Sequence, residues 1–439
     1  MPDHGSPQFP PRSNRKNDSR RRNHSKATVR DAATRVVEIL QDAGHIAYFA
    51  GGCVRDQLMG IEPKDYDVAT DAKPDEVHRL FNRTKSVGEH FGVILVQLFG
   101  HQIEVATFRA EADYSDHRRP DAIHFTDARQ DAMRRDFTIN GMFCDPIASQ
   151  VIDYVDGQQD LRRKIVRAIG EPEDRLTEDH LRALRAVRFS ARFGFEIDSA
   201  TSDAIRRHAR ELSGVSRERI GHELRAMLVE SSAARAIARI QELRLDGPVL
   251  DEPQRNDCEI KTLNGLVGPA PFPTILAAWA IDRNDGDDDL VEGGTDLVSR
   301  WRRALVLTND ECDALRGALA GFRFICRQWG GSSVSERKRA ASSPQFGESL
   351  RLVNAGRPDL GIMIRDDLAV LAKTKSGLAP EPFVTGDDLV AAGVKPGPRY
   401  RQLLDQLFDL QLEDQILSRE EALEHLRDLL ASQPPEQSR

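Results

Sequence analysis

The order of apolar and polar positions predicts an α/β segment at the start of the chain. Residues 28–43 place apolar side chains at helical spacing and are followed by Gly44, which predicts a helix with a C-terminal stop. Four short β-like runs come next, and a helix-like stretch at 74–81 separates the second from the third. The runs are IAYFAGG at 46–52, DYDVAT at 65–70, VILVQLF at 93–99 and IEVATF at 103–108. This alternation predicts a small α/β domain over residues 28–160.

From about residue 174 the pattern becomes helical and remains so. The predicted helices are 178–193, 200–212, 216–230, 232–244, 299–328, 400–412 and 418–431. Ser418 followed by Glu421 predicts a capping box for the last of them. We interpret residues 251–273 and 282–295 as surface connections, because turn-forming and polar residues dominate them. The pattern therefore predicts an α/β head followed by a mostly α-helical neck at 161–230 and a helical body and tail at 231–439.

Composition supports a soluble globular protein of several domains. The chain has 439 residues, of which 39% are apolar and 30% charged. The longest near-continuous apolar run, residues 91–99, is about half of the ~20 residues that a membrane-spanning helix needs. No signal-peptide pattern begins the chain, and the five cysteines are scattered without a C-x-x-C pair. We therefore expect a cytoplasmic protein with reduced thiols and no disulfide or zinc framework.

Charge is unevenly distributed along the chain. The formal net charge is −8, yet residues 1–30 contain eight basic residues and two acidic ones. This polar segment has no apolar periodicity, so residues 1–27 are predicted to be a disordered basic arm. The arm has two interpretations, a solvated tail or an additional contact for nucleic-acid phosphates.

The densest chemical motif is AGGCVRDQLMGIEPKDYDVAT at 50–70. Gly51 and Gly52 lack side chains, so backbone amides there could approach a triphosphate closely, and Arg55 in the next helical turn could neutralise its charge. Asp65 and Asp67 alternate in a β-like run, which predicts that both carboxylates project from one strand face. Two such carboxylates repel unless a cation lies between them. The pair therefore predicts a divalent metal site, and Mg²⁺ binds one or two carboxylates together with substrate phosphates.

A third carboxylate, Glu104, lies in the run IEVATF. It alternates with Ile103 and Val105, so it points away from whatever those two residues pack against. Glu104 is therefore either a catalytic carboxylate beside the metal pair or part of a polar outer face.

The segment MRRDFTINGM at 133–142 supplies two adjacent arginines and an asparagine. Adjacent side chains point in different directions, so we expect one arginine to face the phosphates while the other pairs structurally. Arg135 is our choice for the phosphate contact, and Asn140 is a candidate for a ribose contact.

TEDHLRALRAVRFSARFGF at 177–195 is predicted to be one helix with Thr177 as its cap. Asp179, Arg182 and Arg185 follow at three-residue spacing and so share a face, with Arg188 at its margin. An amphipathic helix with ordinary ion pairs would give the same pattern.

These motifs stand in an order that resembles class II tRNA nucleotidyltransferases, the CCA-adding enzymes, and bacterial poly(A) polymerases. The motifs that carry the resemblance are GGCVRD, the Asp65–Asp67 pair, RRDFTING, the DYVDGQQDL run at 153–161, EDHLRALRAVRF and VSRERIGHEL at 215–224. The resemblance covers about residues 44–230, and a weaker similarity to the same family lies at 384–404. It implies a polymerase-β-like nucleotidyltransferase head, a neck that reads the incoming base, and helical segments that hold RNA.

The resemblance also implies roles for individual residues. Asp65 and Asp67 would hold Mg²⁺, while Glu104 remains our own inference. Nucleotide contacts would come from Gly52, Arg55, Arg135, Asp179, Arg182, Arg185 and Arg188. Cytosine and adenine each present an amino donor beside a ring-nitrogen acceptor, so a carboxylate beside a guanidinium would select both bases without a nucleic-acid template.

The implied substrates are ATP, CTP and tRNA or another RNA 3′ end, with no membrane and no obligate protein partner. We favour CCA addition over poly(A) tailing, because residues 86–100 lack a basic doublet after glycine and residues 108–125 resemble the flexible loop of CCA-adding enzymes. Enzymes that add only CC or only A remain alternatives within this family. A non-catalytic RNA-binding protein is the alternative from another class, and the intact metal pair opposes it.

Overall fold

A mixed β-sheet and the helices packed on it form the first part of the chain, and helices form the rest. The structure is a computed structural model. It describes residues 27–86, 92–114, 120–228, 232–255, 258–284, 297–395 and 397–431, with the backbone alone described at 111–114 and 120–123. The predicted basic arm therefore lies outside the described residues, apart from Ala27. The chain divides into two compact units, residues 1–223 with 242–248 and residues 224–241 with 249–439.

The first unit contains the strands. They are β1 (Ala47–Ala50), β2 (Asp67–Thr70), β3 (Thr84–Ser86), β4 (Val93–Leu98), β5 (His101–Thr107), β6 (Arg109–Tyr114), β7 (Pro120–Phe125), β8 (Phe143–Asp145), β9 (Gln150–Ile152), β10 (Ile165–Val166) and β11 (Glu196–Ile197). Seven of them form one sheet in the order β3-β4-β5-β2-β1-β8-β9, in which β2 and β5 are parallel and the other neighbours antiparallel. Two small sheets, β6-β7 and β10-β11, complete the set within the described residues.

The helices of this unit pack on the sheet or follow it. They are α1 (Val29–Asp42), α2 (Gly52–Leu58), α3 (Pro74–Leu80), α4 (Ala128–Met133), α5 (Gly157–Arg163), α6 (Pro172–Glu178), α7 (Arg182–Phe193), α8 (Ser199–Arg207) and α9 (Arg217–Leu228), the last of which crosses the boundary in sequence. The predicted first helix is confirmed, and Thr28 and Asp31 cap its start reciprocally. Its buried stripe, which includes Val36, Val37 and Leu40, packs on one sheet face.

The second unit contains helices and no β-strand within its described residues. The helices after α9 are α10 (Ala233–Glu242), α11 (Asp246–Leu250), which also crosses the boundary between the units in sequence, α12 (Lys261–Gly265), α13 (Phe272–Arg283), α14 (Leu297–Leu305), α15 (Asn309–Arg327), α16 (Val334–Ala341), α17 (Phe346–Gly356), α18 (Pro358–Leu371), α19 (Gly386–Ala391), α20 (Pro398–Leu412) and α21 (Arg419–Ala431). The fully buried rings of Trp279 and Trp301 lie 5.7 Å apart between centroids in its interior. The predicted α/β head with helical neck, body and tail is confirmed.

Two predictions about this helical region were wrong in detail. The helix predicted over 299–328 is two helices, because Thr308 caps a new start and its backbone N–H donates to Glu311 Oε2 at 2.8 Å. Residues 251–273 are not only a surface connection, since α12 lies inside them and buries Thr262 and Leu263. Asp282 holds that short helix by accepting from both of these backbone N–H groups, at 2.8 and 2.9 Å. None of the helices in the described part of the chain is long and apolar enough to cross a bilayer.

Candidate active site

Strand register brings the predicted acidic residues to one edge of the main sheet, namely the edge formed by the ends of its central strands β1 and β2, beside β5. Ala50, the last residue of β1, pairs with Asp67, the first residue of β2. Val68 pairs with Val105 on the parallel strand β5, so Asp67 and Glu104 occupy neighbouring positions on adjacent strands. The glycine pair that follows β1 and the carboxylates of β2 and β5 therefore meet at the same edge.

A cavity of about 680 Å³ opens at this edge. Nine arginines and four carboxylates line it, so its charge suits a polyanion. Every predicted site residue except Asp65 is among the lining residues. These are Gly52, Arg55, Asp67, Glu104, Arg135, Asn140, Asp179, Arg182, Arg185 and Arg188.

Asp65 lies two residues before β2 rather than within it, so the predicted strand begins later than expected. The predicted alternation nevertheless holds, because Asp65 and Asp67 are exposed while Tyr66 between them is 3% exposed. Surrounding protein atoms reduce the hydration of the Asp67 carboxylate and, together with Glu104 and Asp65, raise its pKa to about 6, against the opposing effect of Arg135. Like charges gathered in this way favour a bound cation.

The donor set at this edge fits a hard divalent cation. Carboxylates are the metal-binding side chains that line the cavity, and neither His nor Cys is among its described lining residues. Within the described residues, no group of three or more His, Cys, Asp or Glu side chains is arranged as a metal cage. Mg²⁺ requires no such cage, because it takes one or two carboxylates and completes its shell with water and substrate phosphates.

Gly51 turns the chain from β1 into α2 with φ +71°, a left-handed conformation that favours glycine. A Cβ atom there would lie 3.0 Å from Arg135 Nη1, so a side chain would also crowd that guanidinium. Gly52, the first residue of α2, lines the cavity directly.

Arg55 is 4% exposed and is held on several sides. Its Nη1 donates to Asn140 Oδ1 at 2.6 Å and its Nε to Asp56 Oδ1 at 2.8 Å, while its guanidinium carbon lies 4.7 Å from the centroid of the Phe193 ring. Burial lowers the pKa of Arg55, against the opposing effect of Asp56. The guanidinium is thus fixed at the cavity wall before any ligand arrives.

Asn140 is 8% exposed and connects two charged residues. Its Oδ1 accepts from Arg55, and its Nδ2 donates to Asp136 Oδ1 at 3.1 Å. Each end of the amide therefore makes one hydrogen bond within the protein, which helps to hold Arg55, while an amide group has the capacity for further hydrogen bonds.

The two adjacent arginines do not diverge as predicted. Arg134 Nη2 donates to Asp131 Oδ1 at 2.6 Å, and Arg135 Nη2 donates to Asp131 Oδ2 at 3.0 Å. Helix α4 ends at Met133, so the chain turns and both side chains fold back onto the carboxylate one turn earlier. Both arginines line the cavity.

The predicted neck helix is broken at Asp179. Thr177 and Glu178 end α6 instead of starting a helix, Asp179 has the extended values φ −152° and ψ 102°, and α7 begins only at Arg182. Tertiary contacts explain the break. Arg219 Nη2 on α9 donates to Asp179 Oδ2 at 2.6 Å. Arg182 Nη1 donates at 2.7 Å to the carbonyl oxygen of Arg175, one of the last carbonyl groups of α6, which have no hydrogen-bond partner within the helix.

The three arginines predicted from the neck motif all donate to acidic side chains. Arg182 donates to Glu178 Oε2 at 2.5 Å, Arg185 to Asp136 Oδ2 at 2.6 Å, and Arg188 to Glu223 Oε2 at 2.8 Å. Burial alone would raise the pKa of Asp136, but Arg185, Asn140 and the Phe137 N–H outweigh it, so the pKa lies below its ordinary value.

Sequence reasoning missed three residues that shape this wall. They are Arg219, Glu223 and Phe189. The centroid of the Phe189 ring lies at most 5.7 Å from the guanidinium carbons of Arg55, Arg185 and Arg188. The available signals were the i,i+4 spacing of Arg219 and Glu223 in VSRERIGHEL and the phenylalanine within the arginine-rich motif of α7.

Comparison with known proteins agrees with this architecture. Residues 47–167 match the poly(A) polymerase head domain, and residues 194–254 match a domain described as the probable RNA- and SrmB-binding site of polymerase A. The CCA-adding enzyme of Bacillus subtilis is 44% identical over 211 residues, which are 48% of this chain and 53% of that protein. The aligned region thus spans about half the length of this relative.

Other relatives are matched over nearly their full length. The CCA-adding enzyme of Lactiplantibacillus plantarum is 32% identical over 404 residues, covering 89% of this chain and 94% of that protein. The crystal structure of the Bacillus stearothermophilus CCA-adding enzyme in complex with CTP superposes with a TM-score of 0.72 at 26% identity, covering 93% of this chain and all of that one. This chain therefore belongs to the family of CCA-adding tRNA nucleotidyltransferases and bacterial poly(A) polymerases.

Proposed function

We propose that this protein adds C and A nucleotides from CTP and ATP to the 3′ end of tRNA, without a template and with release of pyrophosphate. The observation that carries the proposal is a single cavity in which the Asp67 edge of the sheet faces an arginine-rich wall. Near-full-length similarity to a CCA-adding enzyme supports the choice of reaction.

The residues of the head would bind the triphosphate and the metal. Nucleotidyltransferases of this family use divalent metal ions, and we propose Mg²⁺ held by Asp65 and Asp67, with Glu104 beside them. Bound there, the ion supplies positive charge that eases ionisation of the RNA 3′ hydroxyl and neutralises the leaving pyrophosphate. Arg55 and Arg135 would place the triphosphate through charge-assisted hydrogen bonds from the cavity wall.

The neck residues would read the base. Asp179 would accept a hydrogen bond from the exocyclic amino group that cytosine and adenine share, and Arg182 would donate to the adjacent ring nitrogen. Uracil and guanine would instead place a carbonyl acceptor against the Asp179 carboxylate and a ring N–H donor against the Arg182 guanidinium. Arg185 and Arg188 would support the nucleotide from the next turns of α7, and Asn140 would fix Arg55 and offer its second amide N–H to the ribose.

The remaining helices would hold the RNA. Residues 194–254 match a probable RNA-binding domain, which supports RNA contacts from the neck and body. We also place the activity in the cytoplasm, consistent with the five free cysteines. The head domain that matches is named for poly(A) polymerase, which makes AMP tailing the second candidate function.

The test uses tRNA transcripts that end before CCA, after the first C and after the second C, each with CTP and ATP supplied separately and together. CCA addition predicts two C residues on the first transcript from CTP alone and completion only when ATP is added. Extended A tails on any transcript would instead identify a poly(A) polymerase, and addition of only CC or only A would identify a partial enzyme.

Asp65→Ala and Asp67→Ala variants serve as the catalytic controls for this test. Both should lose incorporation of both nucleotides while RNA binding survives, because the metal contributes several kcal/mol to the chemical step. Turnover above about a tenth of wild type in either variant would remove that residue from the proposed metal site.

A further inference from the structure

We infer that Arg219 on α9 is a positioning residue that sets base selection by holding the Asp179 carboxylate. This inference rests on the proposed function and adds a residue to its base-reading step. Arg219 lines the same cavity as Asp179 and donates from Nη2 to Asp179 Oδ2 at 2.6 Å. The two side chains are 31% and 25% exposed, so the pair lies partly screened from bulk water inside the cavity.

Asp179 needs an external support because the neighbouring backbone fixes only one of its two carboxylate oxygens. It lies in the three-residue connection between α6 and α7, in extended conformation, and not in a helix where neighbouring turns would restrict its side chain. The Leu181 backbone N–H donates to Asp179 Oδ1 at 3.1 Å, which fixes one oxygen. The contact from Arg219 fixes the other.

This support leaves Asp179 able to read a base. A carboxylate oxygen has more than one acceptor direction, so each oxygen of Asp179 can accept a further hydrogen bond after its protein donor is in place. Arg182, the proposed donor to the ring nitrogen, is engaged with Glu178 and backbone carbonyls rather than with Asp179. Acceptor and donor are therefore held by separate partners and do not neutralise each other before the nucleotide binds.

Helix α9 supports the site through a second residue as well as Arg219. Glu223, one turn after Arg219, accepts from Arg188 at 2.8 Å and lies 3.8 Å from Arg185 Nη1. One face of α9 thus supports both the carboxylate and the arginines of the neck. A preorganised pair costs less conformational freedom when the ligand binds.

The experiment is a double-mutant cycle between Arg219→Gln and Asp179→Asn, with Arg219→Lys as the conservative variant. Arg79→Gln is the matched control, because Arg79 on α3 is an exposed arginine of the same unit that neither lines the cavity nor belongs to the segment proposed to bind RNA. For each protein, kcat and KM are measured with CTP, ATP, UTP and GTP on a transcript ending before CCA. CTP affinity is measured separately by calorimetry without RNA.

We expect Arg219→Gln to lower kcat/KM for CTP and ATP about tenfold, equal to 1.4 kcal/mol, mainly through KM, and to narrow the preference over UTP. Arg219→Lys should recover part of the loss, and Arg79→Gln should match wild type. In the Asp179→Asn background the effect of Arg219→Gln on CTP affinity should largely disappear, because the carboxylate it holds is gone.

Additive effects in the cycle, or an equal loss on all four nucleotides, would overturn the inference and leave Arg219 as an ordinary stabilising contact. The calorimetric measurement of CTP affinity tests the role of Arg219 independently of the proposed reaction. If wild-type protein binds CTP but adds nothing to RNA, the proposed function fails while the cycle still decides the role of Arg219.

Discussion

Asp67 shows how one residue combines folding cost and function. Asp67 is the first residue of the central strand β2. Surrounding protein atoms, Glu104 and Asp65 together raise the pKa of its carboxyl group to about 6, although Arg135 opposes them. The unfolded value is near 3.8, so the folded state binds this proton more tightly than the unfolded chain does. Ionisation of Asp67 therefore destabilises the metal-free fold above about pH 6, and this penalty is absent below about pH 4.

The first prediction is that Asp67→Asn stabilises the metal-free protein at neutral pH while abolishing nucleotide addition. The neutral amide removes repulsion from Glu104 and Asp65, so the Tm in EDTA should rise by a few degrees at most at pH 7.5, since water in the cavity screens part of the effect. The gain should shrink as the pH falls toward 4. Added Mg²⁺ should raise the Tm of wild type and not of the variant. A Tm change that is the same at every pH would contradict this electrostatic account.

Residue-level chemistry could be predicted from sequence where it depends on local alternation. The alternation of Glu104 with Ile103 and Val105 indicated an outward carboxylate, and both apolar neighbours are at most 1% exposed. Arg219 had no such local signal toward Asp179, because the two residues are 40 positions apart and meet only after the helices pack. Long-range ion pairs of this kind require the fold.

At the scale of elements, the neck differs most from its sequence pattern. Thr177 followed by acidic residues is a good helix start, and local propensity alone gives one helix from there to Phe193. The structure instead ends α6 at Glu178 and restarts at Arg182, because the Asp179 contact with Arg219 and the capping of α6 by Arg182 outweigh propensity. The break turns Asp179 from a helix-surface residue into a residue of the cavity wall.

The second prediction tests this placement through base selection. Asp179→Ala removes the acceptor for the amino group of cytosine or adenine, a charge-assisted hydrogen bond that contributes roughly 1.5–3 kcal/mol. The kcat/KM for both CTP and ATP should fall at least about tenfold, since 1.4 kcal/mol is a factor of ten. The ratio of these values to the kcat/KM for UTP should become smaller. Kinetics with the four nucleotides on one transcript measure both effects.

Asp174→Ala provides a comparison from the same segment, because Asp174 belongs to the first turn of α6 and does not line the cavity. It should leave the order of nucleotide preference unchanged. If Asp179→Ala lost activity on all four nucleotides in equal proportion, Asp179 would only shape the connection between the helices, and base reading would have to be assigned elsewhere.

For the whole molecule, charge is separated along the chain. Residues 1–30 contribute +6 to a chain whose formal net charge is −8, so the remainder is strongly acidic. The described chain starts beside the hairpin of β4 and β5, where His101 Nε2 lies 2.8 Å from the carbonyl oxygen of Ala27. The arrangement of charge was evident from the sequence, whereas the position of this starting point depends on the packing of the head.

The third prediction is that the basic arm contributes RNA affinity without chemistry. Deleting residues 2–26 removes seven basic and two acidic residues and retains Ala27 with its contact to His101. Each phosphate that the arm neutralises adds roughly 0.7–0.9 to the slope of log affinity against log salt concentration. Loss of two or more such contacts should therefore flatten the slope by at least about 1.4, while kcat at saturating RNA stays within about twofold of wild type. A full-length variant with the seven basic residues replaced by Gln separates charge from chain length and should behave like the deletion. If both variants kept the wild-type salt slope in filter-binding titrations with tRNA, the arm would be a solvated tail with no part in RNA binding.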